Sequence, residues 1–282
     1  MREIAVIGAG AMGSGIAQVF AQAGDVVRLV EAGSEQLEKG MAGIQRQLDR
    51  SVERGRLTDA ERAEALGRLH PSTDLRNAAL ADLVVEAVYE SLEVKLEVFR
   101  TLDVECSPDT ILASNTSSIS ITTLAAATGR PDRVIGMHFF NPVPVMKLVE
   151  IVRGPATSDA TFERIESEAR RLGKEPVEVR DFPGFVSNRV LMPMINEAIF
   201  ALYEGEASAT AIDTVMKLGM NHPMGPLELA DFIGLDVCLG IMNVLHEGFG
   251  DPKYRPCPLL KQMVAAGRLG CKSGSGFHEY SD

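Results

Sequence analysis

Tryptophan is absent from the 282-residue chain, and 11 Phe with 4 Tyr bring the aromatic share to only 5%. So few rings leave the packing to aliphatic side chains and to methionine, a flexible filler present 12 times. Basic residues are also short, 28 against 39 acidic ones, for a net charge of −11. That balance excludes a whole-surface binder of nucleic acid or anionic membrane, so a polyanionic ligand must be met by a local basic patch or by helix N-termini. Cysteine is sparse and scattered: Cys106, Cys238, Cys257 and Cys271 form no close pair, which fits neither a zinc ribbon nor a redox CxxC and points to a reducing compartment. No His or Cys cluster suggests a metal site. Long apolar runs are missing as well, the first being too short and too broken by glycine to span a bilayer. Met1-Arg2-Glu3 runs straight into Ile4-Ala5-Val6-Ile7 without the pattern of a cleavable signal, and a cytoplasmic protein is expected.

What is present reads as globular. Apolar residues make up 45% and charged ones 24%, and the length suits roughly two domains. From residue 4 to about 86, short β-branched runs alternate with helical stretches, the pattern of βαβ units around a parallel sheet covered on both faces. Strands are expected at 4–7, 26–31, 83–86, 110–114, 134–138, 148–152 and 177–179. Residues 34–69 read as a helical hairpin inserted in a crossover, broken near Gly55 and Thr58, with a capping box at Thr58-Asp59-Ala60-Glu61. After Asp181-Phe182-Pro183-Gly184 the β-branched runs give way to apolar helical faces such as Val190, Leu191, Met194, Ile195, Ala198, Ile199 and Leu202. The expected fold is therefore α/β, a Rossmann-type NAD-binding domain over 1–184 with an inserted helical hairpin, followed by an all-helical domain over 185–282.

Gly8-Ala9-Gly10-Ala11-Met12-Gly13 is a GxGxxG between a strand and a helical apolar face. Gly8 allows the tight turn, Gly10 lets a pyrophosphate reach backbone amides, and Gly13 lets the helix pack closely on the sheet. The helix N-terminus then offers unpaired N–H groups to the phosphates. The motif alone suits FAD as well as NAD. Glu31, at the end of the second strand, can bind a ribose 2′-hydroxyl and would repel a 2′-phosphate, which favours NAD over NADP.

His138 ends the strand 134–138, where open α/β sheets place their ligands, and Glu150 lies in the next strand. If those strands are neighbours, the carboxylate can fix one imidazole nitrogen and leave the other as a base. Ser114-Asn115-Thr116-Ser117-Ser118 places small donors on the same sheet edge, although Ser118 and Ser120 suit a helix-capping loop. Asn188 opens the first helix of the second domain, as a cleft residue or as a cap.

These segments, with His138-Phe139-Phe140-Asn141-Pro142-Val143-Pro144-Val145-Met146-Lys147-Leu148-Val149-Glu150 and Pro223-Met224-Gly225-Pro226-Leu227-Glu228-Leu229-Ala230-Asp231, closely resemble the L-3-hydroxyacyl-CoA dehydrogenases over essentially the whole chain, and most nearly their bacterial short-chain 3-hydroxybutyryl-CoA branch. The resemblance implies reversible oxidation of a short-chain 3-hydroxyacyl-CoA by NAD, in a homodimer joined through the helical domain. It implies His138 as the general base, Glu150 as its support, and Ser117 and Asn188 as partners of the substrate oxygen. Glu31 would contact the adenosine ribose, Glu90 and Lys95 the nicotinamide side, and Met12 and Asn115 go with the cofactor motifs in which they stand. Arg46, Arg50 and Arg54 form one basic stripe at i, i+4, i+8, which is either a solvated face paired with Asp49 and Glu53 or, as the resemblance implies for Arg50 and Arg54, a site for coenzyme A phosphates. His278 stands where the family usually has Tyr, which suggests a surface or subunit-contact change. An L-gulonate-type sugar-acid 3-dehydrogenase shares the Asn-Thr-Ser-Ser and His…Asn-Pro patterns, but the apolar residues Phe139, Phe140, Val143 and Val145 suit an acyl chain better than a polyol. A catalytically silent NAD-binding protein is the rival outside enzymes.

Overall fold

The structure, a computed structural model, describes residues 2–280. The chain divides into two compact units, the first ending at Asp181 and the second starting at Phe182.

The first unit carries β1 (Glu3–Ile7), α1 (Ala11–Gln22), β2 (Val26–Val30), α2 (Ser34–Glu53), α3 (Asp59–Gly67), β3 (Leu69–Ser72), β4 (Leu83–Glu86), α4 (Leu92–Glu105), β5 (Ile111–Ser114), α5 (Ile121–Ala125), β6 (Val134–Phe139), β7 (Leu148–Arg153), α6 (Asp159–Arg171) and β8 (Glu175–Arg180). The strands form one sheet of eight in the order β3-β2-β1-β4-β5-β6-β7-β8. Pairings from β3 through β6 are parallel, β7 joins β6 antiparallel, and β8 runs parallel to β7. β4 and β6 are buried along their whole length, as expected of strands covered on both faces.

Seven strands lie where the β-branched runs put them, and β3 is the one those runs do not reveal. Leu69-His70-Pro71-Ser72 is short and polar and contains a proline, which a sheet tolerates at an edge, and β3 is the edge strand. The inserted hairpin is α2 and α3. α2 buries Leu37, Gly40, Ile44 and Leu48 on one face, at helical spacing. The Thr58 hydroxyl accepts from Glu61 N while the Glu61 carboxylate accepts from Thr58 N, completing the capping box that starts α3.

The second unit is helical: α7 (Ser187–Tyr203), α8 (Ala209–Gly219), α9 (Pro226–Ile233), α10 (Leu235–Phe249) and α11 (Pro258–Ala265). Its core gathers Met192, Ile195 and Ile199 of α7 with Leu227, Leu235, Met242 and Leu260, so this part of the α7 face is interior. Two buried aspartates organise the rest. Asp213 of α8 accepts from Leu227 N and Glu228 N at the start of α9, and Asp231 accepts from Phe277 N, His278 N and the Tyr280 hydroxyl. His278 is not simply a surface residue: its Nε2 lies 2.7 Å from Asp213 Oδ2, tying the terminal segment to α8. Among the described residues no single helix is long and apolar enough to cross a membrane, and α9 with α10 reaches that length only as a pair bent by 99°.

Candidate active site

The turn after β1 is shaped by its glycines. Gly8 has φ +104, and a Cβ there would stand 2.5 Å from Ala87 O. A Cβ on Gly13 would stand 1.9 Å from Gly8 O, so α1 can lie this close to the turn only without a side chain. At Gly10 a Cβ would meet nothing within 4 Å, which leaves space in front of the α1 N-terminus, whose first turn holds no acid. Glu31 follows β2 directly, and its Oε2 accepts from Ala9 N at 2.9 Å. A cavity of about 660 Å³ opens here between Gly8, Met12, Glu31, Val88, Tyr89 and Val94. Amides for a pyrophosphate, a carboxylate for a ribose diol and an apolar wall for a base thus share one opening, and the residues fit a dinucleotide.

Beyond this turn, β4 and β5 carry a chain of charges at their carboxyl ends. Glu86, fully buried at the end of β4, accepts from Lys95 Nζ at 2.6 Å and Val88 N at 2.7 Å on Oε1, and from Ser114 Oγ at 2.6 Å on Oε2. Lys95, 1% exposed on α4, also lies 3.2 Å from Glu90 Oε2. Glu90 Oε1 in turn collects Thr116 Oγ1, Ser117 N, Ser118 Oγ and Ser117 Oγ. Burial raises the Glu90 carboxyl, but the Lys95 charge and the bonds from Thr116 and Ser117 outweigh it and hold the group below the ordinary carboxylate range. Ser120 accepts from Thr123 N and caps α5, the capping role its position suggested.

His138 and Glu150 are direct partners in the antiparallel register of β6 and β7. His138 Nδ1 lies 2.8 Å from Glu150 Oε2, with side-chain exposures of 9% and 4%. The Phe140 ring sits 4.6 Å from the imidazole, and Asn115 Oδ1 accepts from Phe139 N at 2.9 Å, joining the β5 loop to the strand that carries His138. A buried imidazole oriented by a carboxylate is an arrangement for moving one proton. Asn188 belongs to the second unit, where it is buried in the first turn of α7; the cap position of that helix is Val186.

Two family models divide the chain between them: the NAD binding domain of 3-hydroxyacyl-CoA dehydrogenase over residues 3–182 and its C-terminal domain over residues 184–280. The chain belongs to the 3-hydroxyacyl-CoA dehydrogenase family. Its members are NAD-dependent oxidoreductases, and NAD is the cofactor that the opening at Gly10 and Glu31 fits. The chain is 58% identical to a probable 3-hydroxybutyryl-CoA dehydrogenase of Bacillus subtilis, over 100% of this chain and 98% of that protein. It is 54% identical to a 3-hydroxybutyryl-CoA dehydrogenase of Bradyrhizobium diazoefficiens, over 99% of this chain and 96% of the relative. The crystal structure of (S)-3-hydroxybutyryl-CoA dehydrogenase from Ralstonia eutropha superposes with a TM-score of 0.97 at 50% identity, covering 100% of both chains.

In this 3-hydroxyacyl-CoA dehydrogenase, Arg50 and Arg54 line a pocket of about 250 Å³ together with Arg56, Gln18, Gln47 and Pro144. Asp49 is taken by Arg62 of α3 and not by the stripe. Arg56 was not marked by the helical spacing because it lies past the end of α2. Lys174 was missed as well: buried before β8, its ammonium donates to the carbonyls of Val143 and Met146 and so holds the loop that follows His138. Glu86 was missed because an acid ending a strand gives no one-dimensional sign that Lys95 and Ser114 converge on it.

Proposed function

We propose that this chain catalyses the reversible NAD-dependent oxidation of a short-chain (S)-3-hydroxyacyl-CoA, 3-hydroxybutyryl-CoA, to the 3-ketoacyl-CoA, acetoacetyl-CoA. The observation that carries the residue roles is the 2.8 Å contact between His138 Nδ1 and Glu150 Oε2 at the carboxyl end of β6. With Nδ1–H donated to Glu150, Nε2 holds the lone pair that takes the C3 hydroxyl proton, and Glu150 balances the imidazolium that results. Oxidation at C3 also requires loss of a hydride, for which NAD, when bound, would supply the acceptor, so the substrate loses one proton and one hydride in all. In reduction His138 starts protonated and returns the proton to oxygen. Ser117 and Asn188 hydrogen-bond the substrate oxygen and favour the charge that develops there. Gly8, Gly10, Met12 and Gly13 with Glu31 hold the adenosine and pyrophosphate half of NAD, and Asn115, Glu90 and Lys95 shape the nicotinamide side.

The pocket lined by Arg50 and Arg54 supports a coenzyme A phosphate site on an otherwise acidic protein. We assign cofactor binding to 1–184, and to 185–282 substrate contacts and pairing into a homodimer. Exposed apolar residues on α8 support the pairing: Val215 60%, Leu218 82% and Met220, just past its end, 62% exposed. The four free thiols support a cytoplasmic setting. The test is NADH absorbance with acetoacetyl-CoA, run beside NADPH and beside L-gulonate with NAD. Turnover with NADH and acetoacetyl-CoA is expected; turnover on gulonate alone would replace the acyl-CoA reading with the sugar-acid one.

A further inference from the structure

Glu86 lies at the closed end of the charge chain and Glu90 at its open end. The side-chain exposures run from 0% at Glu86 through 1% at Lys95 to 37% at Glu90. Both Glu86 oxygens are engaged, Oε1 by Lys95 and Val88 N and Oε2 by Ser114, whose own hydroxyl oxygen also accepts from Thr116 N at 3.1 Å. Glu86 therefore fixes the ammonium from one side and the start of the 114–118 loop from the other. Without it, Lys95 would be held by Glu90, whose carboxylate is partly exposed, and by the Val88 carbonyl at 3.4 Å.

The open end is crowded. Glu90 Oε1 receives Thr116 Oγ1 at 2.5 Å, Ser117 N at 2.9 Å, Ser118 Oγ at 3.1 Å and Ser117 Oγ at 3.3 Å. One carboxylate oxygen has about two lone-pair positions, so four donors cannot all be well served. Of the four contacts that of the Ser117 hydroxyl is the longest, while the Ser117 amide ties the backbone of the loop to the same oxygen.

We propose that Glu86 is a positioning residue for the dehydrogenase reaction: through Lys95 and Ser114 it holds Glu90 and the 116–118 loop so that the Ser117 hydroxyl and the nicotinamide side of the cofactor site are presented correctly. This rests on the assignment of Ser117 and Glu90 to the site given under Proposed function.

The test is Glu86→Gln, which keeps the shape and removes the charge. Reduction of acetoacetyl-CoA should slow about tenfold in kcat, the scale expected of displaced but intact reacting groups. By calorimetry NADH should bind several-fold more weakly, while ADP-ribose, which lacks the nicotinamide, binds as in the wild type. In a Glu90→Gln background the Glu86 substitution should cost less than it does in the wild type, since one of its two routes, through Lys95, ends at Glu90 while the other runs through Ser114. Equal weakening of NADH and ADP-ribose would reduce Glu86 to a general structural role, and multiplicative losses in the double variant or an unchanged kcat would likewise overturn the proposal. If Glu86→Gln does not fold, Ser114→Ala removes one restraint on Glu86 and should give the same NADH-selective weakening on a smaller scale; its absence counts against the proposal. Wild-type kcat in both Ser117→Ala and Glu90→Gln would instead sink the underlying site assignment, and the proposal with it.

Discussion

His138 and Glu150 stand opposite each other across the β6–β7 pairing, with Nδ1 2.8 Å from Oε2. Directly opposed residues of an antiparallel pair share one face of the sheet, so two strand backbones fix the contact rather than flexible loops. Glu150→Gln should lower kcat about 100-fold or more, because an amide can donate to Nδ1, fix the wrong tautomer and no longer balance an imidazolium. Steady-state kinetics should find this with NADH binding intact; a kcat within about twofold of wild type would remove Glu150 from the mechanism.

Lys95→Met tests the charge chain by pH. Lys95 is the strongest influence holding the Glu90 carboxyl down, so its loss should raise that carboxyl. A depressed carboxylate contributes above its ordinary range and loses that contribution as pH falls through its lowered value. The acid limb of kcat/KM should therefore begin at higher pH in Lys95→Met than in the wild type. Superimposable profiles would mean that Glu90 ionisation does not matter to the reaction.

The glycines of the first turn should separate stability from binding. Gly13→Ala places a methyl against Gly8 O and should destabilise by about 3 kcal/mol, seen as a lower midpoint in denaturant. Gly10→Ala meets open space, so it should fold normally and weaken NAD by calorimetry. The reverse pattern would contradict a pyrophosphate seat at Gly10.

Charge reversal in Arg50→Glu with Arg54→Glu should raise KM for acetoacetyl-CoA about tenfold or more and leave NADH binding alone. An unchanged KM would return the stripe to an ordinary solvated face.

Thiol chemistry offers an independent check on the fold. Burial raises Cys106 to about 11 and Cys238 to about 12, and pushes Cys257 up as well, whereas Cys271 is exposed. A thiol reagent at mildly alkaline pH should titrate Cys271 quickly and the other three only after unfolding. Rapid reaction of several thiols in the native protein would contradict the packing around them.

The parts of the fold that a one-dimensional pattern can carry were legible: buried β-branched runs, the Gly8–Gly10–Gly13 turn, and the Thr58–Glu61 capping box. β3 was not, because Leu69-His70-Pro71-Ser72 has neither an apolar run nor an alternation and is a strand only through its pairing with β2. His138 and Glu150 were each visible, but their contact depends on a register that spacing does not fix. Glu86, Lys174 and Arg56 stayed hidden for a related reason. Each gains its meaning from partners brought to it by tertiary structure: Lys95 and Ser114, the Val143 and Met146 carbonyls, and the pocket beyond α2. The inward turn of His278 onto Asp213 likewise spans a separation at which no sequence pattern acts.

The most direct test of proton transfer by His138 is oxidation of (S)-3-hydroxybutyryl-CoA by NAD in wild type and in His138→Gln, with NADH binding measured on both. The wild type should turn over, favoured at alkaline pH because the reaction releases a proton, and His138→Gln should bind NADH normally while losing about 100-fold or more in kcat. A His138→Gln enzyme that keeps wild-type turnover would contradict the account.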